Sequence, residues 1–138
     1  MRKVFLFAML MVCLLCGAQS LHRVVSLKSL NAGAVVLQRD NGFYKLRMRT
    51  KHDYFFVILG NKAEAVQILT YLSELKLGND DYVFLNNEQE TKVSKGPLGG
   101  HALYDILQIN YCVITRSQAK KLAKVVEDDA EDMPIDSK

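Results

Sequence analysis

The sequence predicts an α+β domain, an antiparallel β-meander sheet that carries two helices packed on one face. Three observations favour this class. Short apolar strands separated by turn residues come first, one amphipathic helix follows them, and further strands lead to a second helix. Because the order is strands, helix, strands, helix, we expect one domain over residues 21–126.

The first strands are predicted on either side of short turns. A β-branched run begins at Val35, and the pair Asn41-Gly42 favours a tight hairpin because both residues tolerate positive φ. Residues 43–50 alternate cleanly between apolar and basic side chains, whereas residues 54–59 are apolar throughout, as expected of a central strand covered on both faces. The predicted strands span residues 24–30, 34–38, 43–50 and 54–59.

The first helix is predicted to begin at Asn61, with Glu64 completing a capping box and Gly78 as the C-terminal cap. Ser117 is predicted to cap the last helix, which runs to Val126. Between the helices we expect strands at residues 82–85 and 109–115, a loop or edge hairpin at 86–95, and either a strand or a helix at 101–107.

Residues 1–20 have the layout of a secretory signal peptide. Two basic residues precede an unbroken apolar run of 13 residues that ends at Cys16, and small or polar residues follow it. Crossing a bilayer takes roughly 20 apolar residues, so we expect cleavage after Ala18 or Ser20 and no transmembrane segment in the mature chain. The expected localisation is secreted or periplasmic. The alternatives are a buried first helix and a lipid anchor on Cys16.

Loss of the signal peptide would leave Cys112 as the single thiol of the chain. One cysteine cannot form an intramolecular disulfide, so an ordinary hydrophobic core must hold the domain together. Charge is distributed unevenly. Residues 21–126 carry 15 basic and 9 acidic residues, while six acidic residues fall within residues 127–138, which are expected to form a disordered tail.

The strongest surface feature is a basic stripe formed by Lys45, Arg47 and Arg49. Alternate residues of a strand share one face and lie about 7 Å apart, and Lys51 and His52 extend the stripe into the next turn. Such a stripe could bind an acidic glycan, phospholipid head groups or an acidic protein segment, while nucleic acid is not the expected partner. The alternatives are a solvated outer face that suppresses aggregation, or a stripe screened by the acidic tail.

Cys112 could act as a nucleophile, since His101 and Asp105 lie near it in sequence. Reactive thiols occur at helix N-termini or in electropositive clefts, whereas Cys112 falls within an apolar strand. The sequence therefore favours a buried structural cysteine.

No metal site and no cofactor are expected. The three histidines are far apart, and the glycine-rich residues 96–100 lack the Gly-Lys-Ser/Thr ending of a phosphate loop, so they are interpreted as a flexible connection. Six aromatic residues are interpreted as core and sheet positions rather than as a sugar-binding platform: Tyr44, Tyr54, Phe55, Phe56, Tyr82 and Phe84.

The function that fits these features is an exported, non-catalytic binding or assembly module that engages a protein or an anionic ligand through its basic strand face. Two alternatives remain. One is a small hydrolase or transferase that uses Cys112, and the other is an inhibitor or immunity-type protein that presents residues 86–100 to an enzyme.

Overall fold

The structure is a computed structural model that describes residues 24–130, and the α+β class is confirmed. The predicted signal peptide, residues 1–20, and residues 131–138 of the predicted tail lie outside the described residues. The elements are β1 (Val24–Leu30), β2 (Val35–Asp40), β3 (Phe43–Arg49), β4 (Tyr54–Gly60), α1 (Lys62–Glu74), β5 (Tyr82–Phe84), β6 (Lys92–Lys95), β7 (His101–Tyr104), β8 (Tyr111–Ile114) and α2 (Arg116–Asp128).

The described strands form two antiparallel meanders, ordered β1-β2-β3-β4 and β5-β6-β7-β8, where the sequence predicted one sheet. Each meander leads into a helix, so four strands followed by a helix occur twice, although the sequence shows no internal repeat. Both helices pack against each other. In addition, α1 contacts β3 and β4, and α2 contacts β1.

The β2–β3 hairpin has the predicted turn. Asn41 and Gly42 have φ values of 54° and 81°, and Asp40 pairs with Phe43 across them. Positive φ at both central residues is the geometry of a type I′ turn, whose twist matches that of the flanking strands. The hairpin therefore fixes which side chains of β3 face the core.

The prediction of a doubly covered central strand is wrong for β4, which lies at the edge of the first sheet. Side chains from the β5–β6 turn occupy its free edge. The Ile58 N–H donates to Gln89 Oε1 at 3.1 Å, and Asn87 Nδ2 donates to the Ile58 carbonyl at 3.0 Å. Gln89 Nε2 also donates to the Phe56 carbonyl at 3.2 Å. These amides replace a neighbouring strand and satisfy the exposed backbone of β4.

Helix α1 begins as predicted and ends earlier. The Asn61 side chain accepts from the Glu64 N–H at 2.9 Å, and the Glu64 carboxylate accepts from the Asn61 N–H at 2.9 Å, which completes the capping box. The helix ends at Glu74 rather than near Gly78. Leu75 and Leu77 follow in extended chain and pack against the core, so their apolar side chains are partly buried without continuing the helix.

Helix α2 is capped by Thr115 and not by Ser117. The Thr115 hydroxyl accepts from the Gln118 N–H at 3.1 Å, and the Gln118 side chain accepts from the Thr115 N–H at 2.9 Å. The helix continues to Asp128, so the first residues of the predicted acidic tail are helical.

A polar cluster, which we call the Asp129 cluster, fastens the end of α2 to the rest of the domain. Arg39 Nη1 donates to both Asp129 carboxylate oxygens at 2.6 Å, and the Tyr44 hydroxyl donates to Oδ2 at 2.7 Å. Lys62 Nζ donates to the Asp129 backbone carbonyl at 2.7 Å. The Arg39 and Asp129 side chains are only 10% and 9% exposed. Here an acidic residue of the predicted tail binds β2, β3 and the start of α1.

One hydrophobic core draws on both sheets and both helices. Its fully buried side chains include Leu46 and Met48 of β3, Leu69 and Leu72 of α1, Leu103 of β7 and Leu122 of α2. Neither helix among the described residues combines the length and apolar character that a membrane-spanning helix requires.

Candidate functional site

The basic stripe lies on the outer face of the first sheet, as the alternation of β3 predicts. Tyr44, Leu46 and Met48 are fully buried on the inner face. On the outer face, Lys45 and Arg47 are half-buried and Arg49 is exposed. Lys45 and Arg47 are partly buried because they lie against their cross-strand neighbours on β2. These neighbours, Gln38 and Val36, are only 6% and 5% exposed. Long basic side chains cover such neighbours with their aliphatic stems and keep the charge at the surface.

Two cations of the stripe lie over aromatic rings of β4. Lys45 Nζ is 4.6 Å from the centroid of the Phe56 ring, and Arg47 Cζ is 4.5 Å from the centroid of the Tyr54 ring. Tyr54 and Phe56 are 48% and 41% exposed. Cation–π attraction holds each charge beside a flat apolar surface that is still open to solvent.

The stripe retains unpaired positive charge. Lys45 lies 3.7 Å from Asp40 in a loose ion pair. Within residues 24–130, Arg47 and Arg49 form no salt bridge, and the buried Nε of Arg47 has no hydrogen-bond partner. A bound anion could pair with the charge of Arg47 and Arg49 at the surface, but not with the buried Nε of Arg47.

Lys51 and His52 lie beyond the end of β3, in the exposed turn that leads to β4. Thr50 and Asp53 hold this turn, because the Asp53 N–H donates to Thr50 Oγ1 at 2.9 Å and the Thr50 N–H donates to the Asp53 carbonyl at 2.7 Å. Lys51 thus adds its charge beyond the end of β3, and neither Lys51 nor His52 belongs to the strand.

A second surface, which we call the aromatic face, was missed in the sequence. Its rings are Tyr82 and Phe84 of β5, Tyr104 of β7 and Tyr111 of β8, around Lys92 of β6. Lys92 Nζ lies 4.9 Å from the Tyr82 centroid and 5.2 Å from the Tyr104 centroid. The outer position of these rings follows from the burial of Leu103 on the opposite face of the sheet.

All six aromatics lie on strands, as the interpretation of core and sheet positions expected. Tyr44 is fully buried and Phe55 is half-buried against the core, whereas the four sheet positions are about half exposed: Tyr54, Phe56, Tyr82 and Phe84. A usable signal was present, because Tyr82 and Phe84 alternate with Val83, which packs inward.

The outer faces of the two sheets meet at one cleft. Phe56 of the first sheet and Phe84, Lys92 and Tyr104 of the second line a depression of about 160 Å³. Phe56, the ring beneath Lys45, therefore borders the aromatic face at this depression.

Cys112, His101 and Asp105 do not form a catalytic arrangement. The Cys112 thiol is buried and donates to the Arg49 carbonyl at 3.0 Å, and burial raises its pKa. Asp105 accepts from the Ile109 N–H at 2.9 Å within the β7–β8 turn. Within the described part of the chain, none of the three hydrogen-bonds to another, so this geometry does not generate a thiolate nucleophile.

His101 joins β7 to the end of α1. Its Nε2 lies 2.8 Å from the Leu72 carbonyl, one of the last-turn carbonyls that lack an intrahelical partner. Burial lowers the pKa of His101, and the nearby Arg116 charge lowers it further, while hydrogen bonding to the Leu72 and Leu75 carbonyls opposes both. The folded protein therefore holds a neutral imidazole at neutral pH.

This shift predicts a loss of stability on the acidic side. The unfolded chain binds a proton on this histidine near pH 6.5, while the folded chain binds it only at lower pH, so stability falls as pH decreases through that window. The slope is at most about 1.4 kcal/mol per pH unit for one proton. Urea denaturation between pH 7 and pH 5 should show a smaller slope in His101→Gln than in the wild type. A slope in His101→Gln equal to that of the wild type would contradict the assignment.

Among residues 24–130, no group of three or more His, Cys, Asp or Glu side chains is arranged to hold a metal ion.

The segment that was considered as an inhibitory loop, residues 86–100, is not a free loop. It contains β6 and the 3₁₀ turn Pro97–Gly99, and Asn87 and Gln89 anchor its first part to β4.

Comparison of the chain with protein-family models, with curated proteins and with solved structures finds no match.

Proposed function

We propose that this protein is an exported, non-catalytic binding module that holds an extended anionic partner on the outer face of the first sheet. The observation that carries the proposal is the placement of Lys45 over Phe56 and of Arg47 over Tyr54. Each pair combines a fixed positive charge with an exposed ring. Export, for which residues 1–20 are the proposed signal, is part of the same proposal.

The electrostatics favour a partner with regularly spaced negative groups. Neighbouring cations of the stripe are two residues apart on one strand, about 7 Å, and two of the three have no ion pair among residues 24–130. An anionic polymer can place successive charges on successive side chains, whereas a single small anion contacts one of them. Arg47 and Arg49 can also bind carboxylate or sulfate groups bidentately.

Stacking of Lys45 and Arg47 on aromatic rings should strengthen the binding of an anion beyond what the net charge of the stripe provides. A basic side chain free in solvent loses rotamer entropy when it binds, while a side chain already held over a ring loses less. We therefore expect the stripe to bind more tightly than an equal number of charges on a helix surface.

A charge-matched pair of variants tests this expectation. Lys45→Gln/Arg47→Gln/Arg49→Gln removes three charges from the stripe, and Lys120→Gln/Lys121→Gln/Lys124→Gln removes three from the exposed side of α2. Heparin serves as the polyanion. Exposed ion pairs contribute roughly 0.2–1 kcal/mol each, so the stripe variant should bind about tenfold more weakly at low salt and elute from heparin-agarose at lower salt. The α2 variant should change far less.

Each outcome decides the proposal. Loss of heparin binding in the stripe variant alone supports a defined binding face. Equal losses in both variants would mean that only net charge matters and would overturn it, as would unchanged binding in the stripe variant. Circular dichroism spectra of both variants confirm that the fold is retained.

A further inference from the structure

The depression between the outer faces of the two sheets combines exposed rings with polar side chains. Phe56, Phe84 and Tyr104 supply the rings, and Phe56 and Phe84 are 41% and 51% exposed. This exposure, which the sequence did not predict, leaves ring faces open to a ligand. The face of an aromatic ring carries partial negative charge and attracts the C–H groups on one side of a sugar ring.

Two polar side chains at the depression keep their hydrogen-bonding groups for a ligand. Gln89 and Asp105 also line the depression, but their side chains are bonded to β4 and to the β7–β8 turn. Among residues 24–130, the side chains of Glu90 and Gln108 form no hydrogen bond or ion pair. A carboxylate accepts hydrogen bonds and an amide both donates and accepts them, which matches the hydroxyl groups of a sugar.

Charge divides this surface into two parts. The stripe is positive, whereas the depression is lined by the carboxylates of Glu90 and Asp105 and by one cation, Lys92. Because like charges repel, the depression suits an uncharged part of a ligand, and the stripe suits its anionic groups. Phe56 links the two parts, since it lines the depression and its ring centroid lies 4.6 Å from Lys45 Nζ.

We propose that the partner held by the stripe is an acidic polysaccharide in which charged and uncharged sugars alternate, and that an uncharged sugar ring occupies the depression. This inference rests on the proposed function of the stripe and names the class of its ligand. Drug-sized ligands fill pockets of roughly 300–1,000 Å³, so a depression of about 160 Å³ suits one ring of a longer chain. A polyphosphate carries charge on every unit and has no such ring.

Amide NMR titrations with a hyaluronan hexasaccharide and with inorganic polyphosphate test the proposal. Hyaluronan alternates carboxylate-bearing and uncharged sugars, whereas polyphosphate supplies negative charge without sugar rings. Phe84→Ala removes a ring of the depression and should weaken hyaluronan binding about fivefold while leaving polyphosphate binding unchanged. The control Tyr71→Ala removes a ring of α1 that is 43% exposed and should change the binding of neither ligand.

The stripe variant Lys45→Gln/Arg47→Gln/Arg49→Gln separates this inference from the proposed function, because it should weaken the binding of both ligands. If it weakens neither, the proposed function is wrong and the sugar site falls with it. If it weakens both while Phe84→Ala weakens neither, the stripe stands and the sugar site is overturned. Equal losses of both ligands in Phe84→Ala, a loss as large in Tyr71→Ala, or no binding of hyaluronan to the wild type would also overturn the sugar site. In the wild type, hyaluronan should shift the amides of residues 104–108, and equal shifts with polyphosphate would contradict the inference.

Discussion

Asp129→Ala is expected to lower the free energy of unfolding by about 3–5 kcal/mol. The carboxylate accepts from Arg39 and from the Tyr44 hydroxyl, and the Arg39 side chain is only 10% exposed. Removal of the carboxylate would take away a short ion pair and the acceptor of the Tyr44 hydroxyl in a largely buried place, and breaking such a buried pair from one side costs far more than the net contribution of the intact pair. Urea denaturation followed by circular dichroism measures the change.

The neighbouring residue provides a matched control. Asp128 forms an exposed ion pair with Lys124 at 3.6 Å, with side chains 64% and 72% exposed, so Asp128→Ala should change stability by no more than about 0.5 kcal/mol. Similar effects at positions 128 and 129 would show that the Asp129 cluster does not stabilise the fold.

Leu46→Ala and Leu103→Ala are each expected to destabilise the whole domain by roughly 2–5 kcal/mol. Leu46 belongs to the first sheet and Leu103 to the second, and both are fully buried in the same core. Because the two sheets share this core, either cavity should lower hydrogen-exchange protection in both sheets by the same factor.

The alternative is two meanders that unfold separately. In that case Leu103→Ala would reduce protection in β5–β8 while β1–β4 kept theirs, and the single-core description would be wrong. Leu98→Ala is the control, since Leu98 is fully exposed in the 3₁₀ turn before β7 and its truncation removes no buried contact.

Local patterns predicted the elements that depend on local chemistry. The alternation of β3, the Asn41-Gly42 turn and the capping box of Asn61 with Glu64 are all present. For α2 the deciding signal was Gln118, which stands three residues after Thr115, and not the presence of Ser117.

Long-range contacts decided the features that the sequence did not predict. The apolar run of β4 is typical of a central strand, but the amides of Asn87 and Gln89 occupy its edge, and no local pattern encodes such a pairing. The earlier end of α1 has a similar cause, because Leu75 and Leu77 reach the core from extended chain.

The candidate site was predicted only in part, because its basic residues follow a local pattern whereas its ring contacts depend on long-range pairing. Alternation within β3 placed the basic side chains on one face. Their stacking depends on the β3–β4 register, in which Arg47 lies opposite Phe56 and Arg49 opposite Tyr54. Each stacked cation therefore contacts the ring diagonal to it across the two strands: Lys45 lies over Phe56, and Arg47 lies over Tyr54. The rings of the aromatic face come from three of the four short strands of the second sheet, so their common position depends on how these strands pair. Within a single strand, only β5 shows an alternation of aromatic and inward-facing residues that the sequence alone reveals.

The most direct test of the account follows the backbone amide resonances of the protein during titration with a heparin-derived hexasaccharide. We predict that the largest shift changes fall within residues 43–60, on β3, β4 and the turn between them, and that they disappear in Lys45→Gln/Arg47→Gln/Arg49→Gln. Changes confined to the exposed side of α2 would contradict the assignment of the outer sheet face as the binding surface.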